Sequence, residues 1–356
     1  MIKVIKREKI PQKLLIIIPI ISILVGLIIG AIAMIIVKIN PLIVYKAIIL
    51  GAFGSWYAFT ETLVFTTPLI LLSVGLIMAY KISFWNIGAF GQYILGAIFS
   101  SYFALFGPQN LSRLITLTIM VLLGLLGGAF WAAIPAFLKT YWDVNEVLST
   151  LLLNYIALNI LRYLMYGTWK DPSHIGFPLS RRFEVNAQLP RIIPNSRVNL
   201  GLLFGIIAAL LIWFILKKTK FGYRISVIGG NPIAAKYAGI NVINDTIICI
   251  MISGALSGLA GMVQVSGVLH LLQIEINPYY GYTAIIIAWL ANLNPIVSIF
   301  VSYFFGAMIS GAYLIQLTMK VPIGISSLIQ SSIFFVLIGS RFLINYKVVF
   351  EKRSKK

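Results

Sequence analysis

Long apolar runs broken by short polar stretches dominate this chain from about residue 14 to residue 343. A helix needs about 20 mainly apolar residues to cross the hydrocarbon core of a bilayer, and by that measure the pattern predicts about ten crossings. They fall near 14–37, 62–80, 86–106, 113–137 and 147–166, then near 200–216, 246–268, 279–291, 295–318 and 322–343. The predicted class is all-α: a polytopic membrane protein, 1–356 forming one transmembrane domain in two five-helix halves, about 14–166 and 200–343. Two of the spans are weak. The 279–291 run is short and sits between Pro278 and the polar Asn292, Asn294 and Pro295; the run that begins at Asn86 is polar and glycine-broken at its start. Interrupted segments in matching places of two halves suggest an inverted repeat around a central pathway.

The polar stretches carry the rest of the organisation. Residues 38–61, with Lys38, Pro41 and Lys46, read as an external helix lying on the membrane. Residues 167–199 contain Pro172, Pro178, Pro190 and Pro194 and predict an ordered external loop. The most telling stretch is KKTKFGYRISVIGGNPIAAKYAGI, 217–240, a basic segment between two spans and the core of a cytoplasmic loop over 217–245. In it, Asn231 fits a helix N-cap, Pro232 the first helical position and Gly239 a left-handed stop. Gly229 and Gly230 supply a turn ahead of the cap. Two readings stand for this segment: a docking surface for another protein, or a solvated loop whose cations only set topology.

Composition narrows the class further. With 60% hydrophobic and 10% charged residues and a mean hydropathy of +0.97, the chain is far from the charged fraction of about 25% of a soluble domain. Its net charge of +19 comes from cations at span ends, which topology and anionic lipid explain without nucleic acid. The ten-span arrangement puts the larger share of the 28 Lys and Arg on the side that holds 217–245 and both termini. That side is the cytoplasm by the positive-inside rule, and the location is the plasma membrane. The charged N-terminus precedes an apolar run too long for a cleaved signal, so it predicts a retained first span. Cys249 lies inside an apolar span as a packing residue.

Candidate chemistry is sparse. Glu61, Asp143, Glu146 and Glu275 lie at or near span ends, and none is central, so an ion-coupled secondary transporter lacks its usual intramembrane acids. His174 and His270 have no company that would make a metal or nucleophile site, and an intramembrane lipid enzyme lacks a catalytic set. There is no GxxxxGK loop. The chain is therefore expected to bind no cofactor or metal and to perform no catalysis. Asn86, Gln92, Asn154 and Gln264 are candidate pathway residues, polar within apolar spans. Ser253, Gly254, Ser257, Gly258 and Gly261 form a small-residue seam, matched by Gly124, Gly127 and Gly128, that suits close helix packing. Asn145 or Asp143 would cap the helix that carries Asn154, with Glu146 on its positive end.

Five motifs occur in order: FWNIGAFGQYILGA, VNEVLSTLLLNYIA, FGYRISVIGGNPIAAKYAGI, SGALSGLAGMVQVSGV and GYTAIIIAWLANLNP. Over about 70–340 they resemble the membrane subunits of ATP-binding-cassette importers for nucleosides and simple sugars, within the branched-chain amino acid-like permeases. The NEVLSTLLLNYIA run is most similar to the nucleoside branch rather than the ribose-type branch. The resemblance implies that 229–239 is a coupling helix, with Gly229, Asn231, Pro232, Ala235, Lys236, Tyr237 and Gly239 meeting a cytoplasmic ATPase subunit that uses ATP and Mg. It also implies a second permease subunit, as homo- or heterodimer, and an extracytoplasmic substrate-binding protein. Phe90 and Ala234 stand where that family usually has acids.

Overall fold

A computed structural model describes residues 2–6, 12–108, 110–173, 177–276, 279–319 and 324–350; His174 and Pro278 lie outside them. Its helices are α1 (Gln12–Ile36), α2 (Pro41–Phe53), α3 (Trp56–Lys81), α4 (Ala89–Phe106), α5 (Arg113–Trp142), α6 (Glu146–Tyr166), α7 (Gly201–Lys218), α8 (Lys220–Gly230), α9 (Pro232–Tyr237), α10 (Val242–Gln264), α11 (Tyr279–Leu290), α12 (Pro295–Met319) and α13 (Gly324–Asn345). Every predicted span is a helix. Among the described residues, however, seven are long and apolar enough to cross a membrane, namely α3 to α7, α10 and α12. The α11 helix has 12 residues, about 18 Å at a rise of ~1.5 Å per residue, well short of a ~30 Å core.

The chain divides into two compact units, residues 1–54 with 308–356, and residues 55–307. In the first, α1 lies against α13 so closely that a Cβ on Gly26 would overlap the Ile333 backbone. Ser22 donates to the Ser340 hydroxyl at 2.9 Å. The expected membrane-surface helix is α2, but it is shorter than expected, since Trp56 already opens α3 behind a Ser55 cap. Its Val44, Ala47, Gly51 and Ala52 are buried, Gly51 meets Gly311 of α12, and Ser310 donates to the Gly51 carbonyl at 3.0 Å. A helix packed in this way is part of a bundle. Beside the helices that bear out the all-α class, β1 (Ile2–Lys6) and β2 (Tyr346–Phe350) form a short antiparallel pair from segments rich in Ile and Val that favour extended backbone.

The second unit is built around α3, whose apolar window is 89% buried, against 28% for α6 and for α7. Beside it, α10 crosses α4 and α5 through the small-residue seam. A Cβ on Gly258 would overlap the Gly124 carbonyl, one on Gly254 would overlap Ala132 and Gly128, and one on Gly261 would overlap the Tyr93 carbonyl. Backbones this close gain packing contacts that an apolar solvent does not otherwise provide. Cys249 is buried on α10 and its thiol points at the Met78 carbonyl, 3.3 Å away. The turn before α12 follows from its sequence: Asn292 and Leu293 take positive φ, Asn294 accepts from the Ile296 N–H at 3.0 Å, and Pro295 starts the helix.

Candidate functional site

Between α3 and α4 the helical ladder stops for residues 82–88, with Ser83 at φ 63°. The polar residues expected to line a pathway meet here. Asn86 and Gln92, both buried, exchange two amide hydrogen bonds of 3.2 Å each. Asn86 also accepts from the Gly88 N–H at 2.8 Å and donates to Ser253 of α10 at 3.4 Å. From α6, Asn154 accepts from the Gly91 N–H at 2.7 Å and donates to the Ile87 carbonyl at 2.9 Å, while Thr150 accepts from the Ile87 N–H at 3.2 Å. Thus the broken ladder's orphan groups find side-chain partners. Three of the four candidates form one network; Gln264 does not join it. It lies eleven residues beyond Ser253, roughly 16 Å along the helix, where α10 passes into a π-helical turn over Val265–Leu269.

An aromatic stack covers the same break. Tyr80 donates to the Asn86 carbonyl at 3.0 Å, and Tyr80 and Trp85 each stack on Trp289 of α11 with ring centroids 5.3 Å apart. Phe90 is buried on α4. Its Cβ faces Gly281 of α11, where a Cβ would come within 2.8 Å of it, and its ring meets Tyr282. A carboxylate at position 90 would be buried between Gly281 and the Tyr282 ring, at a desolvation cost that a phenyl ring avoids.

The segment expected to be a cytoplasmic loop over 217–245 is largely helical. Thr219 caps α8 by accepting from the Gly222 N–H at 3.1 Å. Gly229 and Gly230 close α8 instead of forming a turn, which Asn231 makes with φ −157° and ψ 105°. Asn231 then caps α9, accepting from the Ile233 and Ala234 N–H groups at 3.0 and 3.1 Å. Gly239 has φ +76°, the left-handed stop. The glycine at 229 serves close approach, because a Cβ there would overlap the Lys81 carbonyl at the end of α3. Ser83 donates to the Gly229 carbonyl at 2.8 Å. Through these contacts the α8–α9 elbow touches the broken segment directly.

A second link joins the elbow to α10. The Arg224 guanidinium holds Asp245 with Nε to Oδ2 at 2.7 Å and Nη2 to Oδ1 at 3.0 Å. Of the expected contact residues, Ala235 is fully buried and positions α9 rather than offering a surface. Tyr237 is 90% exposed, and Ile233, one turn earlier on the same face, is 69% exposed. Lys236 is exposed too. Sequence reasoning missed Ile233, as well as Ser83 and the Arg224–Asp245 pair. The i, i+4 spacing of Ile233 and Tyr237 was the available signal for the first.

At the other span ends three acids, Glu61, Asp143 and Glu146, have cationic partners. Glu61 is held by Arg197, with Nε to Oε1 at 2.9 Å, a contact that raises the Arg197 pKa. Lys139 pairs with Asp143 and with Glu146, and holds the exposed Asp143 carboxyl below its ordinary range. Asn145 is the cap of α6, while Asp143 closes α5 in the left-handed region.

Residues 58–338 match the family described as branched-chain amino acid transport system / permease component. A glucose ABC transporter permease protein of Haloferax volcanii is 30% identical over 94% of this chain and 91% of its own. A nucleoside ABC transporter permease protein of Lactococcus lactis subsp. cremoris is 30% identical over 83% of this chain and 84% of its own. A guanosine ABC transporter permease protein of Bacillus subtilis is 27% identical over 95% and 97%. The chain belongs to the branched-chain amino acid transport system permease family, and is a multi-pass membrane permease subunit of an ABC transporter.

Proposed function

We propose that this permease carries nucleosides inward across the plasma membrane, driven by ATP hydrolysis in a cytoplasmic partner that docks on α8 and α9. The observation that carries the docking site is α9 itself: capped by Asn231, stopped at Gly239, seated by buried Ala235, and presenting Ile233 and Tyr237 to solvent. Exposed apolar side chains on a rigid two-turn helix are what a partner groove buries. Closure of the partner on ATP and Mg would move α8. The Ser83–Gly229 contact and the Arg224–Asp245 pair would then pass that motion to the 82–88 break and to α10. Differential ATP affinity between the two states supplies the drive; this chain itself binds no cofactor.

In this reading about ten helices form two inverted halves, both termini lie in the cytoplasm, and residues 167–199 face an external substrate-binding protein. Two permease subunits pair around the pathway. Gln264 faces it, while Asn86, Gln92 and Asn154 hold its frame. Nucleosides are favoured because relatives from two organisms are nucleoside or guanosine permeases; the similarity to a glucose permease supports a sugar as the second reading. Coexpression with a candidate ATPase subunit tests the coupling. Ile233→Asp with Tyr237→Asp is expected to abolish copurification and guanosine uptake while leaving the thermal midpoint of the purified chain unchanged. Retained assembly and uptake would refute the docking assignment. Glucose uptake without guanosine uptake would select the sugar, and uptake that survives ATP depletion but collapses with an uncoupler would indicate ion coupling instead.

A further inference from the structure

At the opposite end of α10 from the elbow, the π-helical turn and the residues after it form one wall of a cleft of about 300 Å³, lined by Arg182, Arg191, Arg197 and His270. Backbone pairing fixes its frame. The Phe183 N–H donates to the His270 carbonyl at 2.8 Å, Ser180 N–H to Leu272 at 2.9 Å and Leu189 N–H to Ser266 at 3.1 Å. Ser266 donates to the Ala187 carbonyl at 2.6 Å. Two arginines nine residues apart are thereby brought to one concavity by a segment without long helices.

The charge in this cleft is not balanced from within. Arg197 is neutralised by Glu61. Among the described residues no Asp or Glu pairs with Arg182 or Arg191. The carbonyl end of α10 offers only about half a negative charge, less than the two guanidinium groups carry. Burial and the neighbouring Arg182 and Arg191 also hold His270 below its ordinary pKa, so the imidazole is the neutral group of the set. Arg182 and Arg191 are exposed at the mouth of the cleft, so solvent reaches both, yet both line the same concavity, which cations that only set topology would not require.

We infer that this cleft is a binding site for a phosphate group, free in solution or carried on an anionic lipid headgroup. The volume is at the low end of small-ligand pockets, roughly 300–1,000 Å³, and admits a single oxyanion-bearing group rather than a partner's whole face. One guanidinium fork already satisfies the two oxygens of a planar carboxylate. Two guanidinium groups lining one cleft offer more donors than one planar carboxylate takes up, and suit an oxyanion with three or four oxygens. The site is independent of the α8–α9 docking surface but is lined by arginines of the 167–199 segment proposed to face the binding protein, so that protein is left out of the test.

The test uses the full chain, without an ATPase, in nanodiscs of phosphatidylcholine, with inorganic phosphate as the soluble probe; a parallel preparation contains phosphatidylglycerol. Saturable binding of phosphate at one per chain, weakened by salt, is expected if the source is free phosphate. Retention of one phosphatidylglycerol per chain through purification, read by native mass spectrometry, is expected if it is a headgroup. In either case R182Q with R191Q should weaken binding about tenfold or more. R181Q, which removes an adjacent exposed charge outside the cleft, should leave it unchanged. R182K with R191K keeps the charge but loses the forks and should bind at intermediate strength, which covers the case in which the glutamine pair does not fold. Absence of both kinds of binding, or equal loss in R181Q, overturns the site.

Discussion

Replacing Arg224 with alanine would strand a carboxylate that the fold has already removed from water. The Asp245 side chain is only 7% exposed, whereas that of Arg224 is 42% exposed, so the cost falls mainly on the acid. Hydrogen bonds to charged groups contribute about 1.5–3 kcal/mol each, and removing one partner of a fully buried pair costs about 3–5 kcal/mol. Because solvent reaches half of this pair and screens it, the expected destabilisation is about 2–3 kcal/mol. That corresponds to roughly a 30- to 140-fold change in the folding equilibrium at ~1.4 kcal/mol per decade. The assay is a double-mutant cycle on the purified chain, with R224A, D245N and the double variant compared by unfolding equilibrium in detergent. The double variant should recover much of the loss, because a neutral amide at 245 no longer needs a cation. Coupling below about 0.5 kcal/mol, the range of independent sites, would refute the clamp. In the assembled transporter, R224A should lower uptake per ATP hydrolysed while the ATPase still copurifies, since Ile233 and Tyr237 on α9 are untouched.

Two further predictions concern the buried network and the cleft. N154L removes the acceptor for the Gly91 N–H and the donor to the Ile87 carbonyl; it should cost about 1–3 kcal/mol in the same unfolding assay, and the low end is expected where the membrane-embedded reference state finds other partners. H270Q addresses pH: the folded pKa of His270 lies below the ordinary 6.5, so the unfolded chain binds the proton more readily. The contribution of His270 is therefore fully present above about pH 6.5 and declines as pH falls below that value. Thermal midpoints of wild type should drop more steeply than those of H270Q between pH 7 and 5, and parallel curves would show that the half-buried imidazole does not titrate with folding.

Element existence was legible because apolar length and local capping are written residue by residue. Asn231, Pro232 and Gly239 mark the bounds of α9 through backbone requirements that neighbouring residues alone decide, and the spacing of Gly254, Gly258 and Gly261 marks a packing face. The site was legible only as a set of residue types. Asn86, Gln92 and Asn154 are conspicuous as polar side chains in apolar runs, yet nothing in their spacing says that Asn86 and Gln92 bond each other while Asn154 bonds the backbone at 87 and 91. Gly229 looked like a turn residue and is a close-approach residue, because the Lys81 carbonyl that requires it is far away in the chain.

By itself, then, the order of residues determined that this protein lives in a membrane, that its apolar runs are helices, where α9 starts and stops, and which family of permeases it joins, since hydrophobic length, caps and motifs are local properties. The tertiary structure alone decided which polar groups meet. Only folding brings α6, α10 and α11 around the 82–88 break, sets Arg224 on Asp245 across 21 positions, and gathers Arg182 and Arg191 beside His270. These arrangements depend on side chains distant in sequence satisfying buried backbone groups and charges, a demand that exists only after the chain has excluded water.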